Sequence, residues 1–278
     1  HGVLPMFEHS LVSIIDARRR LLAPGGILIP RSETLWASVV EAPELYSRHT
    51  MPWSDDRYEV DLRSALRITT NTWLKARVSP EQLLAKPKCW ATLDYLTLES
   101  PNVRGELTWT SERAGIGHGL LVWFDACLAE GVSFSNAPGS PELIFGTAFF
   151  PWPEAVAISK GDTVCAEIRC ELIGEDYNWR WNTRVLDQVN RSRVKADFQQ
   201  SLFAGALLSS AQLQKLSSDY VPTLSLDGEI DRFTLALMNG EATLGDIAHS
   251  VKERFPTRFK EWTDALKQVS QLSQKYGE

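Results

Sequence analysis

A chain of 278 residues, 44% hydrophobic and 23% charged, has the make-up of a globular protein and is long enough for two domains. Its net charge of −6 disfavours a general nucleic-acid or anionic-membrane binder and suits an enzyme that handles basic or neutral substrates. No apolar run approaches the ~20 residues of a membrane helix, and no signal peptide is visible. The chain opens on His1 rather than Met and is expected to be part of a longer protein. Cys89, Cys127, Cys165 and Cys170 show no C-x-x-C pair and no histidine at zinc-ligand spacing, so buried free thiols, a cytoplasmic setting and no metal are expected.

In chain order, Glu8 to Leu22 predicts a helix with Leu11, Ile14, Ile15, Arg18 and Leu22 along one side. Pro24-Gly25-Gly26 stops it, and Ile27 to Ile29 predict the start of a strand. From Glu33 to Val185 the pattern becomes β. Strands are predicted over Thr34–Val40, Leu66–Trp73, Trp90–Leu98, Gly105–Thr110, Gly119–Leu128, Thr147–Phe150, Thr163–Leu172 and Trp179–Val185. Their number and their Gly, Pro, Ser and Asn separators point to an antiparallel sandwich or barrel. Trp179 and Trp181 alternate onto one face, which predicts packing rather than a ligand cage. The stretch from Glu44 to Asp61, with Tyr46, Met51, Trp53 and Tyr58 and five acidic residues, is an excursion from the sheet. Asp55, Asp56, Glu59 and Asp61 within it lack a calcium-loop pattern.

A polar connector follows Asp187. Three helical stripes then close the chain: Ile230, Phe233, Leu237 and Met238; Leu244, Ile247, Ala248, Val251 and Phe255 behind a Thr243 cap; and Phe259, Trp262, Leu266, Val269, Leu272 and Tyr276. Residues 223–278 hold seven Lys/Arg against nine Asp/Glu, which disfavours contact with phosphates.

Three stretches resemble the protein arginine methyltransferases, which use S-adenosyl-L-methionine. They are His1 to Glu8 leading to Leu21-Leu22-Ala23-Pro24-Gly25-Gly26-Ile27-Leu28-Ile29-Pro30; Val78-Ser79-Pro80-Glu81-Gln82-Leu83-Leu84; and Gly119 to Asp125 with Phe134-Ser135, Ser140-Pro141 and Thr147-Ala148-Phe149-Phe150. The resemblance covers about residues 1–188. It implies a mainly β plus α protein, with an antiparallel β-barrel, a helical dimerisation arm and a small helical or winged-helix domain after them. The implied divisions are a cofactor-domain remnant at 1–30, a barrel at 31–188 with the arm at about 44–61, a connector at 189–222, and a last domain at 223–278. That last domain is similar to PqqD-type peptide-binding domains over Asp227-Gly228, Ile230 to Met238, Asn239 to Leu244 and Ile247-Ala248.

The resemblance also implies roles. Glu8 matches the second of two glutamates that hold a substrate guanidinium, the first falling outside these residues; the other role open to Glu8 is stabilising a helix N-terminus. Tyr46, Met51, Trp53 and Tyr58 would anchor a homodimer. The family's Thr-His-Trp loop has no counterpart, because Glu142-Leu143-Ile144-Phe145 stand there without His or Trp in register. No glycine-rich cofactor turn is present either, so this chain alone is expected to be inactive. Two functions remain open: the substrate-binding and dimerisation part of a protein or peptide methyltransferase, or a non-catalytic peptide-binding module descended from one.

Overall fold

The computed structural model describes residues 2–54, 61–190, 193–206, 209, 214–215 and 217–277. The chain divides into two compact units, His1–Leu207 and Leu208–Glu278. The first contains α1 (Ser10–Arg20), β1 (Ser32–Val40), α2 (Pro43–Ser54), α3 (Arg63–Thr70), β2 (Leu74–Ala76), β3 (Lys88–Asp94), β4 (Val103–Thr110) and β5 (Gly115–Ala129). It continues with β6 (Val132–Ser135), β7 (Thr147–Ile158), β8 (Thr163–Ile173), β9 (Asp176–Leu186), β10 (Val194–Ser201) and the one-turn helix α4 (Leu202–Gly205).

The described strands form two antiparallel sheets and not the closed barrel that the resemblance implies. One has the order β2-β7-β5-β1-β3 with β6 beside β5, and the other the order β10-β9-β8-β4. The successive strands β3 and β4 lie in different sheets, so the hydrogen-bonded ladder is interrupted there. Their backbones still approach closely: a Cβ on Gly105 would stand 2.1 Å from the Trp90 carbonyl oxygen, so only glycine fits.

Alternation sends Leu35, Val122, Phe124 and Phe150 of the first sheet into a shared core with Leu107, Trp109, Ile168, Trp179 and Trp181 of the second. Trp179 and Trp181 are 2% and 0% exposed, and the Phe150 ring meets them at 5.3 and 5.0 Å. Leu121, Trp123 and Phe149 face the other way, into a smaller cluster with Leu45 and Tyr46 of α2. Both faces of β5 are therefore covered, which explains its nearly unbroken apolar run.

Several local expectations are corrected. Leu66–Trp73, rich in β-branched residues, begins inside α3, where the Thr69 and Thr70 hydroxyls bond back to the Leu66 carbonyl. Ile27 to Ile29 form no strand, since no described strand pairs with them, and Ile27 and Ile29 are 79% and 61% exposed. The expected connector is in part a strand: β10 pairs along β9, carrying Ala196 and Phe198 into the core. All four cysteines are free, but only Cys170 is buried. Cys165 and Cys170 lie an odd number of residues apart on β8 and so face opposite sides.

The second unit holds α5 (Leu226–Leu237), α6 (Leu244–Arg254) and α7 (Trp262–Tyr276) around Ile230, Ile247, Ala248, Val251, Ala265 and Val269. Thr243 and Asp246 close a reciprocal cap on α6, each side chain taking the other's backbone N–H at 3.2 Å. No strand occurs among the described residues of this unit, so the winged form does not appear there. Leu244, Trp262 and Tyr276, expected inside, are exposed because they stand at helix ends beyond the packed stripe.

Candidate functional site

The segment ahead of α1 is anchored from below. Leu4 and Met6 enter the core at 2% and 4% exposure, while the Pro5 carbonyl accepts from the Ser10 hydroxyl at 2.5 Å and from the Phe7 N–H at 3.0 Å. The chain must turn sharply between the buried Met6 and the start of the helix. Glu8 makes that turn at φ 46°, the one non-glycine residue with positive φ among the described residues. Such a conformation is strained for glutamate and is a reason to look for function there. The Glu8 side chain is exposed, with no hydrogen bond or ion pair among the described residues. A carboxylate so placed can accept two N–H donors from a guanidinium.

Behind it, α1 is tied to the first sheet. Arg18 donates to the Tyr95 carbonyl at 3.1 Å and pairs with Glu99 at 2.6 Å. The Tyr95 hydroxyl donates at 2.6 Å to Glu33, and both residues are 1% exposed. Burial, helped by the Glu33 charge, holds the Tyr95 phenol far above its ordinary value, so it stays a donor.

Asn136, just after β6, links three pieces of chain. Its Oδ1 accepts from the Phe124 N–H of β5 at 2.8 Å, and its Nδ2 donates to the Val3 carbonyl at 3.2 Å and to the Gly146 carbonyl at 2.5 Å. Between Asn136 and Gly146 runs the loop that holds Glu142-Leu143-Ile144-Phe145. It borders a cleft of about 190 Å³ lined by Arg77, Asn136, Pro138, Ser140, Glu142 and Thr147. Arg77 pairs with Glu142 at 2.6 Å, Lys75 donates to the Ile144 carbonyl, and Ile144 itself is 78% exposed. Phe145 stacks on Phe134, and both rings meet Phe124 edge-on. His118 and Trp152, close to this loop in sequence, are committed elsewhere: Trp152 to the core against Phe198, His118 to the base of α2.

Of the four aromatic and sulfur residues expected on the arm, Tyr46 packs inward, its ring 5.1 Å from that of His118. Burial and the Glu154 charge push the Tyr46 phenol up to about 12. Met51 is 49% exposed and Trp53 half-buried, while Tyr58 lies outside the described residues. The helices α2 and α3 are joined by the His49 ring against the Thr69 carbonyl at 2.8 Å. The far end of α3 is held by Gln200, whose amide donates to the Thr70 and Pro151 carbonyls.

His118 accepts the Ala42 N–H on Nδ1 at 3.2 Å, and burial lowers its pKa against the opposing pull of Glu41. Glu41 is held below the usual carboxylate range first by the Ile116 N–H and then by Arg113.

Gly25 sits at φ 76° in an open turn, not at the start of a helix. No cluster of three or more His, Cys, Asp or Glu that could hold a metal occurs among the described residues, and no described helix is long and apolar enough to cross a membrane. Asn136 and the Glu33–Tyr95 pair were missed in the sequence. An Asn beside Pro138 and Gly139 looks like turn chemistry, and Tyr95 and Glu33 are joined only by the fold.

Residues 31–183, more than half of the chain, match the arginine methyltransferase oligomerization subdomain. The chain is 22% identical over 215 residues to protein arginine N-methyltransferase 1 of Dictyostelium discoideum, covering 76% of this chain and 58% of that protein. It is 28% identical over 177 residues to protein arginine N-methyltransferase 2 of Mus musculus, covering 59% and 39%. It therefore spans little more than half, or less, of these relatives' length. Two solved structures share its fold. Arabidopsis thaliana protein arginine methyltransferase 10 aligns with a TM-score of 0.60 at 16% identity, over 72% of this chain and 67% of that one. The Trypanosoma brucei PRMT1 enzyme–prozyme heterotetrameric complex with AdoHcy aligns at 0.59 and 13%, over 72% and 68%. With its two-sheet unit matched over 31–183, the chain belongs to the arginine methyltransferase family.

Proposed function

We propose that this chain is the substrate-side and dimerisation part of an S-adenosylmethionine-dependent protein or peptide methyltransferase, with arginine as the first acceptor to test. The observation that carries this proposal is the family match over residues 31–183. It is supported by the strained, exposed carboxylate of Glu8 beside the core-anchored segment. Methyl donor binding belongs to residues outside this chain, so the chain by itself is inactive. Glu8 accepts N–H bonds from the guanidinium and draws its positive charge to one side, which leaves the attacking nitrogen's lone pair better available. Holding that nitrogen in line with the donor methyl supplies much of the acceleration. The arm at about residues 44–61, which includes α2, docks on a second subunit, with Met51 and Trp53 as contact residues. The three-helix unit, α5 to α7, resembles PqqD-type domains and would capture a peptide.

Titration calorimetry tests the division of labour. The 278-residue protein should show no S-adenosylmethionine binding at micromolar concentration, whereas the full-length protein should bind and transfer; micromolar binding by the 278 residues contradicts it. The second proposal, a peptide-binding module without catalysis, is favoured by one observation. The loop at Glu142–Phe145 carries no histidine, and Phe145 is occupied in stacking on Phe134.

A further inference from the structure

We propose that Asn136 is a positioning residue that sets the Glu8 segment and the 137–145 loop against each other; this rests on the methyltransferase function proposed above. A primary amide has one acceptor oxygen with two lone pairs and two donor hydrogens. Asn136, 6% exposed, uses them in three directions: to β5 at Phe124, to the N-terminal segment at Val3, and to the end of the loop at Gly146. The bond to Phe124 is a purely structural tie to a central strand. The other two join parts of the chain that have no sheet in common.

Val3 lies five residues before Glu8, and Leu4 and Met6 between them are buried, so little slack separates the amide from the carboxylate. Gly146 ends the loop in a left-handed conformation, φ 62°, against the Ala76 carbonyl, so the loop is fixed at its end as well as at Asn136. One side chain thus ties both the segment that leads to Glu8 and the end of the loop to β5. A displacement of about 1 Å in a group that positions an acceptor costs about 10²-fold in rate.

The substitution that separates the two roles is Asn136→Asp. It keeps the oxygen that accepts from Phe124 and replaces the donor group by an oxygen facing two carbonyls. Asn136→Ala removes both functions. The measurements are made on the full-length protein, per folded molecule by circular dichroism. Hydrogen exchange of Asn136→Asp should rise at least tenfold over residues 3–10 and 137–146 together, with β8 and β9 amides unchanged. Its kcat on a peptide substrate should fall at least tenfold while KM changes less than threefold. Activity should recover partly on acidification, as the carboxyl gains a proton to donate, and Asn136→Ala should show no such recovery. If exchange rises in only one segment or in neither, the tether is overturned. If Asn136→Asp keeps the wild-type kcat, the positioning role alone is overturned. If the wild-type protein transfers no methyl group, the methyltransferase function falls, and the positioning role with it.

Discussion

A left-handed backbone costs a non-glycine residue about 1–2 kcal/mol, and Glu8 bears that cost with its carboxylate turned to solvent. A residue kept for helix stability would cost stability when replaced by glycine, whereas at Glu8 the relief of backbone strain dominates. Glu8→Gly is therefore expected to stabilise the protein by up to about 1 kcal/mol, since glycine's greater unfolded-state entropy offsets part of the relief. The same change should abolish methyl transfer by the full-length protein. Glu8→Gln keeps the shape and loses the charge. A charge-assisted hydrogen bond is worth about 1.5–3 kcal/mol, so kcat/KM should fall roughly 10- to 100-fold; an unchanged kcat/KM would remove Glu8 from the site.

His118 gives a separate test through pH. Its folded pKa is lowered by burial, below the ordinary value of about 6.5. As pH falls through 6.5 the unfolded chain takes up the proton first, so stability is full above that value and declines below it. Tm should drop on acidification from pH 7 and drop less in His118→Asn, which keeps an acceptor for the Ala42 N–H. Equal slopes in the two proteins would place the acid sensitivity elsewhere.

At the scale of elements, strands with strict alternation or long apolar runs were legible in the sequence. β1, β5, β8 and β9 declare themselves because their faces are buried in a regular order. Trp179 and Trp181 were placed by period alone. The misses have physical causes. β10 is an edge strand whose outer face is polar, so Lys195, Asp197 and Gln199 disguise it as a linker. α3 is helical in a segment of high strand propensity because its threonines satisfy themselves on the preceding turn and its end is gripped by Gln200. The β3–β4 crossing could not be foreseen, since nothing local marks Gly105 as the point of closest approach. Gly105→Ala should destabilise by about 1–3 kcal/mol through overpacking against the Trp90 carbonyl, read as a lower urea midpoint. An unchanged midpoint would mean that the sheets separate there at little cost. On the arm, Met51→Asp places a charge on an exposed apolar position. In the full-length protein it should weaken the dimer at least tenfold in sedimentation without lowering Tm; an unaltered dimer would move the interface away from α2.

For the molecule as a whole, the family was legible because short motifs kept their order along residues 1–188, and the match over 31–183 bears that out. The candidate site was legible only in part. Position in the sequence nominates Glu8, but its strain, and the amide that ties its segment to the loop, exist only in three dimensions. Ile144 and Phe145 offer neither a proton acceptor nor a charge at the positions that the resemblance matches to a histidine loop. In the proposed function this fold serves methyl transfer to a protein or peptide. The most direct test is mass spectrometry of peptides incubated with the full-length protein and isotope-labelled S-adenosylmethionine. A labelled methyl group is expected on an arginine side chain, formed roughly 10- to 100-fold more slowly by Glu8→Gln. No label on any peptide, from a protein that binds the cofactor and is folded, would contradict it.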